Sequence, residues 1–163
     1  MKTLLLMRHA KSSWEEEGVP DHDRPLNGRG KRDSPRMGKL IRQLDLVPDL
    51  VVTSTAKRAK STAKRVAEAC GYAQKIEESA ALYGASTPEW VGVLTKIEET
   101  NDRVLGIGHN PGVEEFLEML IGDYEPMPTA ALAQVSLPIE RWADLVEDTP
   151  GELIGLWLPK ELD

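Results

Sequence analysis

Apolar residues fall in short unbroken bursts, separated by longer stretches in which they recur every three or four positions. The first burst, Thr3-Leu4-Leu5-Leu6-Met7, is too short for a helix and has the continuous apolar character of a strand buried on both faces. Leu50 to Thr53 and Arg103 to Ile107 repeat the pattern. Between the first two, Met37, Leu40, Ile41 and Leu44 share one helical face, with Ser34-Pro35 as cap and first helical position. Asn27 is the alternative cap, for an earlier start that Pro35 would then bend. Ala59, Ala63, Val66, Ala67 and Cys70 form the next stripe, in a helix that starts at Ser54-Thr55 and stops at Gly71.

Further along, a short strand is expected near Lys75 to Glu77, and a helix from Pro88 to Ile97 capped by Thr87. After the strand ending at Ile107, Asn110 caps a helix and Pro111 opens it. Val113, Phe116, Leu117, Leu120 and Ile121 face inward, and Gly122 ends it. Ala131 to Leu137 and Leu153 to Leu158 read as strands of the same sheet, antiparallel addition being one option, with one or two helical turns between Ile139 and Leu145. The alternation predicts an α/β fold.

Composition narrows the class. With 163 residues the chain fits one domain and leaves no room for a separate cap. A formal net charge of −7 disfavours nucleic acid and anionic lipid, so any positive potential has to be local. The single cysteine, Cys70, excludes an internal disulfide and a multi-cysteine metal cage, and its place in the helical stripe reads as core. The first apolar run is shorter than the roughly 7 to 15 residues of a signal peptide, which predicts a cytoplasmic protein without a membrane segment.

Three strand ends carry the chemistry. Arg8-His9 closes the first, Ser54 through Arg58 follows the second, and His109-Asn110-Pro111-Gly112 follows the third. Ligands of open α/β sheets bind beyond the carboxyl ends of strands, so the three read as one site. A phosphoryl group carries about two negative charges, and arginine's planar fork matches its oxygens in two-point fashion. Arg8, Arg58 and Arg24 supply forks, and the helix starts at Ser54 and Asn110-Pro111 add partial positive charge. His9 would attack phosphorus through one ring nitrogen while a backbone carbonyl holds the other. His109 would donate to a phosphoryl oxygen, a role better served when protonated.

Each motif alone is common: an Arg-His pair, a Ser-x3-Arg spacing, a histidine before an Asn-Pro turn. Their convergence on one end of the sheet, in a chain with three histidines, is what selects the site. A metal centre of His22 with Asp21 and Asp23 is the lesser reading, because the arginines already bring the positive charge. Lys11, Ser12 and Ser13 are placed at the mouth, and Trp14 and Trp90 in buried packing.

The chain resembles the histidine phosphatase superfamily, and within it the small SixA-type phosphohistidine phosphatases. The resemblance rests on Met7-Arg8-His9-Ala10-Lys11-Ser12, Arg24-Pro25-Leu26 with Gly28 and Gly30, and Ser54 through Thr62. Leu82-Tyr83, Gly108-His109-Asn110-Pro111 and Pro128-Thr129-Ala130 complete it. It implies a phosphoglycerate mutase-like, three-layer α/β/α sandwich with a mostly parallel central sheet. His9 would be the phosphate-accepting nucleophile, Arg8, Arg58 and His109 the phosphate pocket, and Arg24 its neighbour.

Family members that cleave alcohol phosphoesters protonate the leaving oxygen with a glutamate from a longer segment after the second helix. Here that stretch, Ile76 to Ala85, is short, and neither Glu77 nor Glu78 matches convincingly; Asp21 is the preferred substitute acid. The implied protein is a phosphatase without metal or cofactor, acting on a phosphohistidine-bearing protein such as a phosphotransfer domain. The alternatives are a small-molecule phosphomonoesterase or mutase, and a non-catalytic phosphate-dependent binding module.

Overall fold

Alternate side chains of the first strand, β1 (Lys2–Arg8), divide the interior in two: Leu4 and Leu6 join one apolar cluster, Leu5 and Met7 the other. In the computed structural model, which describes residues 1–162, five more strands surround it. They are β2 (Leu50–Ser54), β3 (Ile76–Ser79), β4 (Arg103–Gly108), β5 (Leu132–Leu137) and β6 (Glu152–Trp157). The sheet order is β3-β2-β4-β1-β5-β6. The first four strands in that order run parallel, and β5 and β6 extend the sheet antiparallel, settling the orientation of the tail.

Helices cover both faces. Met37 and Ile41 of α1 (Gly28–Gln43) and Ala59, Ala63 and Val66 of α2 (Lys57–Cys70) pack with Leu5 and Met7. Trp90 and Leu94 of α3 (Thr87–Leu94) and Phe116, Leu117 and Leu120 of α4 (Gly112–Ile121) pack with Leu4 and Leu6. The result is the expected α/β/α sandwich, and Cys70 is buried in its core. Among the described residues, no helix is long and apolar enough to cross a membrane.

Helix starts differ from the sequence expectation for identifiable reasons. α1 begins at Gly28, not near Pro35, because Asn27 caps it: its side-chain oxygen accepts the Gly30 amide at 2.9 Å. Pro35 is carried inside the helix. α2 starts at Lys57, since Ser54 Oγ first accepts the Ala56 amide in a turn that separates strand from helix. α3 is capped by Ser86 instead of Thr87, with Glu89 accepting from both the amide and hydroxyl of Ser86, and it ends at Leu94. α4 opens at Gly112, and Asn110 accepts the Glu114 amide from just outside it. The stretch from Ile139 to Leu145 holds one short turn, Trp142–Asp144.

Candidate active site

Register brings the three strand ends together. Met7 of β1 pairs with Ile107 of the adjacent β4, and Ile107 pairs on its other side with Thr53 of β2. His9, His109 and Ser54 therefore leave the sheet at one edge, within one or two residues of a common line. The His9 amide extends the ladder by donating to the Gly108 carbonyl at 3.0 Å. Gly108 is required here, because a Cβ at that position would come 2.5 Å from the Trp90 ring, which is buried as expected.

His9 is buried, and its Nδ1 lies 2.7 Å from the Ala10 carbonyl. A carbonyl only accepts, so Nδ1 carries the hydrogen and Nε2 keeps its lone pair. The Ala10 amide in turn donates to Thr62 Oγ1 at 3.0 Å, and that hydroxyl donates to the Arg58 carbonyl at 2.7 Å. The ring is thus fastened to the first turns of α2. Burial pushes the His9 pKa down to about 3, with His109, Arg58 and Arg8 adding to the effect against the opposing Ala10 carbonyl. The imidazole is neutral, as a nucleophile must be.

The rings of His9 and His109 lie 5.0 Å apart, tilted by 53°. His109 Nε2 meets Ser54 Oγ at 2.8 Å, whereas its Nδ1 is buried without a partner. Ser54 accepts the Ala56 amide and can give its own proton to Nε2, which leaves Nδ1–H as the free donor. Burial first, then Arg58, pushes the His109 pKa down to about 4. The expected imidazolium is therefore not the form the free site favours: desolvation and a neighbouring guanidinium both oppose the charge.

Arg8 and Arg58 bring the positive charge. Arg8 Nη1 donates to the Met127 carbonyl at 3.3 Å, and Arg58 Nη1 and Nη2 donate to the backbone and side-chain oxygens of Asp21 at 2.6 and 3.0 Å. Among the described residues, four buried side-chain polar atoms lack a hydrogen-bond partner, and three of them are Arg8 Nε, Arg58 Nε and His109 Nδ1. Buried donors are nearly always paired in folded proteins, and these three belong to side chains near enough to His9 to act on it electrostatically, an arrangement that fits an anion.

Asp21, the acid that the sequence suggested, sits among three donors. Its carboxylate accepts from Tyr83 Oη at 2.5 Å, Arg58 Nη2 at 3.0 Å and Arg24 Nε at 3.2 Å. These donors, Tyr83 foremost, hold its pKa well below the usual carboxylate range, so it has no proton to give near neutrality. Arg24 is buried and reaches the site through Asp21; its Nη1 also donates to Ser12 Oγ at 2.8 Å and the Ser13 carbonyl at 3.2 Å. Trp14 departs from its expected burial. It is 73% exposed, with one face against the Arg24 guanidinium, 3.5 Å from the ring centroid.

His22 belongs to the same neighbourhood, bonded through Nε2 to Thr55 Oγ1 at 2.9 Å and set edge-on to Tyr83, whose ring also meets His109 edge-on. Among the described residues, no group of three or more His, Cys, Asp or Glu side chains is placed to hold a metal ion. Sequence reasoning gave no role to Thr62 or to the Tyr83 hydroxyl. The available signal for Thr62 was its position one helical turn after Arg58, on the inward stripe of α2.

A sheet edge that offers a neutral imidazole to a slot of unpaired guanidinium and imidazole nitrogens is a phosphoryl-transfer geometry. The chain belongs to the histidine phosphatase superfamily (branch 1), whose sequence pattern matches residues 4–112. The fold is the SixA type. It superposes with a TM-score of 0.83 on an Agrobacterium tumefaciens protein provisionally assigned as phosphohistidine phosphatase SixA, at 27% identity over 97% of this chain and 98% of that one. A protein histidine phosphatase SixA complexed with tungstate shares the fold, with a TM-score of 0.84 and 23% identity over 99% of each chain. An uncharacterised chloroplastic protein of Arabidopsis thaliana is 31% identical over 144 residues, 82% of this chain. The match covers 66% of the plant protein, just under two thirds of its length.

Proposed function

We propose that this chain is a phosphatase that passes a phosphoryl group through a covalent phospho-His9 intermediate, with phosphohistidine in a protein as its substrate. The observation that carries the reading is the set of unpaired nitrogens, Arg8 Nε, Arg58 Nε and His109 Nδ1, gathered beside an imidazole whose tautomer leaves Nε2 free. Nε2 attacks phosphorus in line, the N–P bond to His9 forms, and the bond to the leaving group breaks with its electron pair. Water then attacks the phospho-His9, releasing inorganic phosphate and restoring the ring. Arg8, Arg58 and His109 hold the phosphoryl oxygens while charge spreads over them, each charge-assisted hydrogen bond contributing about 1.5–3 kcal/mol. Arg24 supports this set through Asp21.

The leaving group follows from Asp21. A carboxylate held ionised by three donors cannot protonate an alkoxide, and general acid help is worth roughly 10²–10⁴ in rate. A phosphorylated imidazole can carry a proton on its other ring nitrogen before the P–N bond breaks and so depart as a neutral ring, which makes a phosphoramidate better suited to the site than a sugar phosphate. Exposed Trp14 and half-exposed Tyr83 on the rim suit contact with a protein surface.

The test is a rapid quench with radiolabelled phosphohistidine protein. Acid-labile, alkali-stable label on the wild-type chain and none on His9→Ala is expected; label on His9→Ala overturns the mechanism. Faster turnover of sugar phosphates than of phosphohistidine would replace the substrate class. Phosphopeptide binding without turnover would replace the enzyme with a binding module.

A further inference from the structure

Arg58 has five N–H donors, and Asp21 occupies one edge of the guanidinium: Nη1 goes to its carbonyl oxygen and Nη2 to its carboxylate. What remains is the adjacent edge, where Nε, buried and unpartnered, stands beside the second hydrogen of Nη2. The same carboxylate accepts Arg24 Nε and the Tyr83 hydroxyl, and the Tyr83 ring rests edge-on against His109. One side chain therefore fixes two guanidinium groups that would otherwise repel each other. It also ties them to the ring packed on the second histidine.

Building on the phosphatase reading, we infer that Asp21 is a positioning residue. It turns Arg58 so that only the Nε/Nη2 edge meets the phosphoryl group, and Tyr83 in turn fixes Asp21. Such a carboxylate acts in two opposing ways. Fixing the arginine before substrate arrives favours the transition state, in which the donors must already be aligned. Its own negative charge, close to the incoming dianion, weakens binding of the ground state and of the phosphate product. A group that only maintained the fold would support both steps together.

Asp21→Asn keeps the size and the backbone carbonyl while removing the charge, so it separates the two effects. In the variant, kcat is expected to fall roughly tenfold or more as Arg58 loses its alignment. Inorganic phosphate and tungstate are expected to bind about threefold or more tighter, as repulsion is relieved. Tyr83→Phe is expected to shift kcat in the same direction by less. Binding is read by calorimetry, so this arm does not depend on turnover. An unchanged kcat, or weaker tungstate binding alongside a lower kcat, overturns the positioning role. Failure of the phosphatase reading shows separately, as label on His9→Ala or as tungstate binding without any turnover by the wild-type chain.

Discussion

Thr62 and Ala10 are hydrogen-bonded across 52 positions of sequence, the Ala10 amide donating to Thr62 Oγ1 at 3.0 Å. Because Thr62 also donates to the Arg58 carbonyl and the Ala10 carbonyl accepts from His9, one hydroxyl links the backbone carrying the second arginine to the one carrying the nucleophile. Position, more than reactivity, is what the surrounding structure contributes to His9.

Thr62→Val should expose that contribution. Valine fills the same volume but leaves the Ala10 amide buried and unpaired, which costs about 1–3 kcal/mol. The expected outcome is a lower denaturation midpoint together with a fall in kcat, whereas Thr62→Ser, which keeps the hydroxyl, should retain most of both. Equal behaviour of the two variants would show that the hydroxyl is not the link.

Ser54 is the corresponding support for His109. Ser54→Ala removes the partner of Nε2 and frees the ring to change tautomer, so the donor at Nδ1 is no longer fixed. Oxyanion affinity and kcat are both expected to fall, by roughly tenfold for one charge-assisted hydrogen bond of about 1.5 kcal/mol. The check is tungstate inhibition measured beside turnover; an unaltered inhibition constant would remove Ser54 from the account.

Much of this arrangement is legible in the amino-acid sequence. The strands that deliver His9 and His109 are continuous apolar runs, and burial on both faces of a sheet demands that pattern, so Leu4 to Met7 and Val104 to Ile107 were legible. Helix starts were less so: Asn27 and Ser34 both have capping side chains, and only tertiary packing decides between them. The role of Asp21 was not legible. A carboxylate in a loop gives no sign of whether donors will surround it, and here Arg24, Arg58 and Tyr83 come from three separated segments. Trp14 was misjudged because aromatic bulk usually means burial, whereas a guanidinium offered its face a partner at the surface.

Acid should destabilise the fold before carboxylates titrate. His9 and His109 have pKa values of about 3 and 4 when folded, against an ordinary value near 6.5. The unfolded chain therefore takes up protons that the folded chain refuses. Their stability contribution is complete above about 6.5 and is lost as pH falls through the window down to the folded values. Denaturant midpoints measured from pH 7 to pH 4.5 should decline, and His9→Gln/His109→Gln should flatten the decline. A wild-type curve as flat as that of the double variant would contradict the burial of two neutral imidazoles.

Oxyanion binding should draw protons into the site. A dianion placed against His109 Nδ1 and the two arginines favours the charged imidazole, so the His109 pKa rises from about 4 toward or past its ordinary value. At pH 6 the free site is neutral at both histidines, and tungstate, already a dianion at that pH, is expected to enter with uptake of up to about one proton, the capacity of a single imidazole. Calorimetry in two buffers of different ionisation enthalpy measures that uptake directly. His109→Gln should abolish most of it and His9→Ala should not, because the Nε2 of His9 has to stay unprotonated to attack phosphorus. Equal uptake in wild type and His109→Gln would remove His109 as its acceptor.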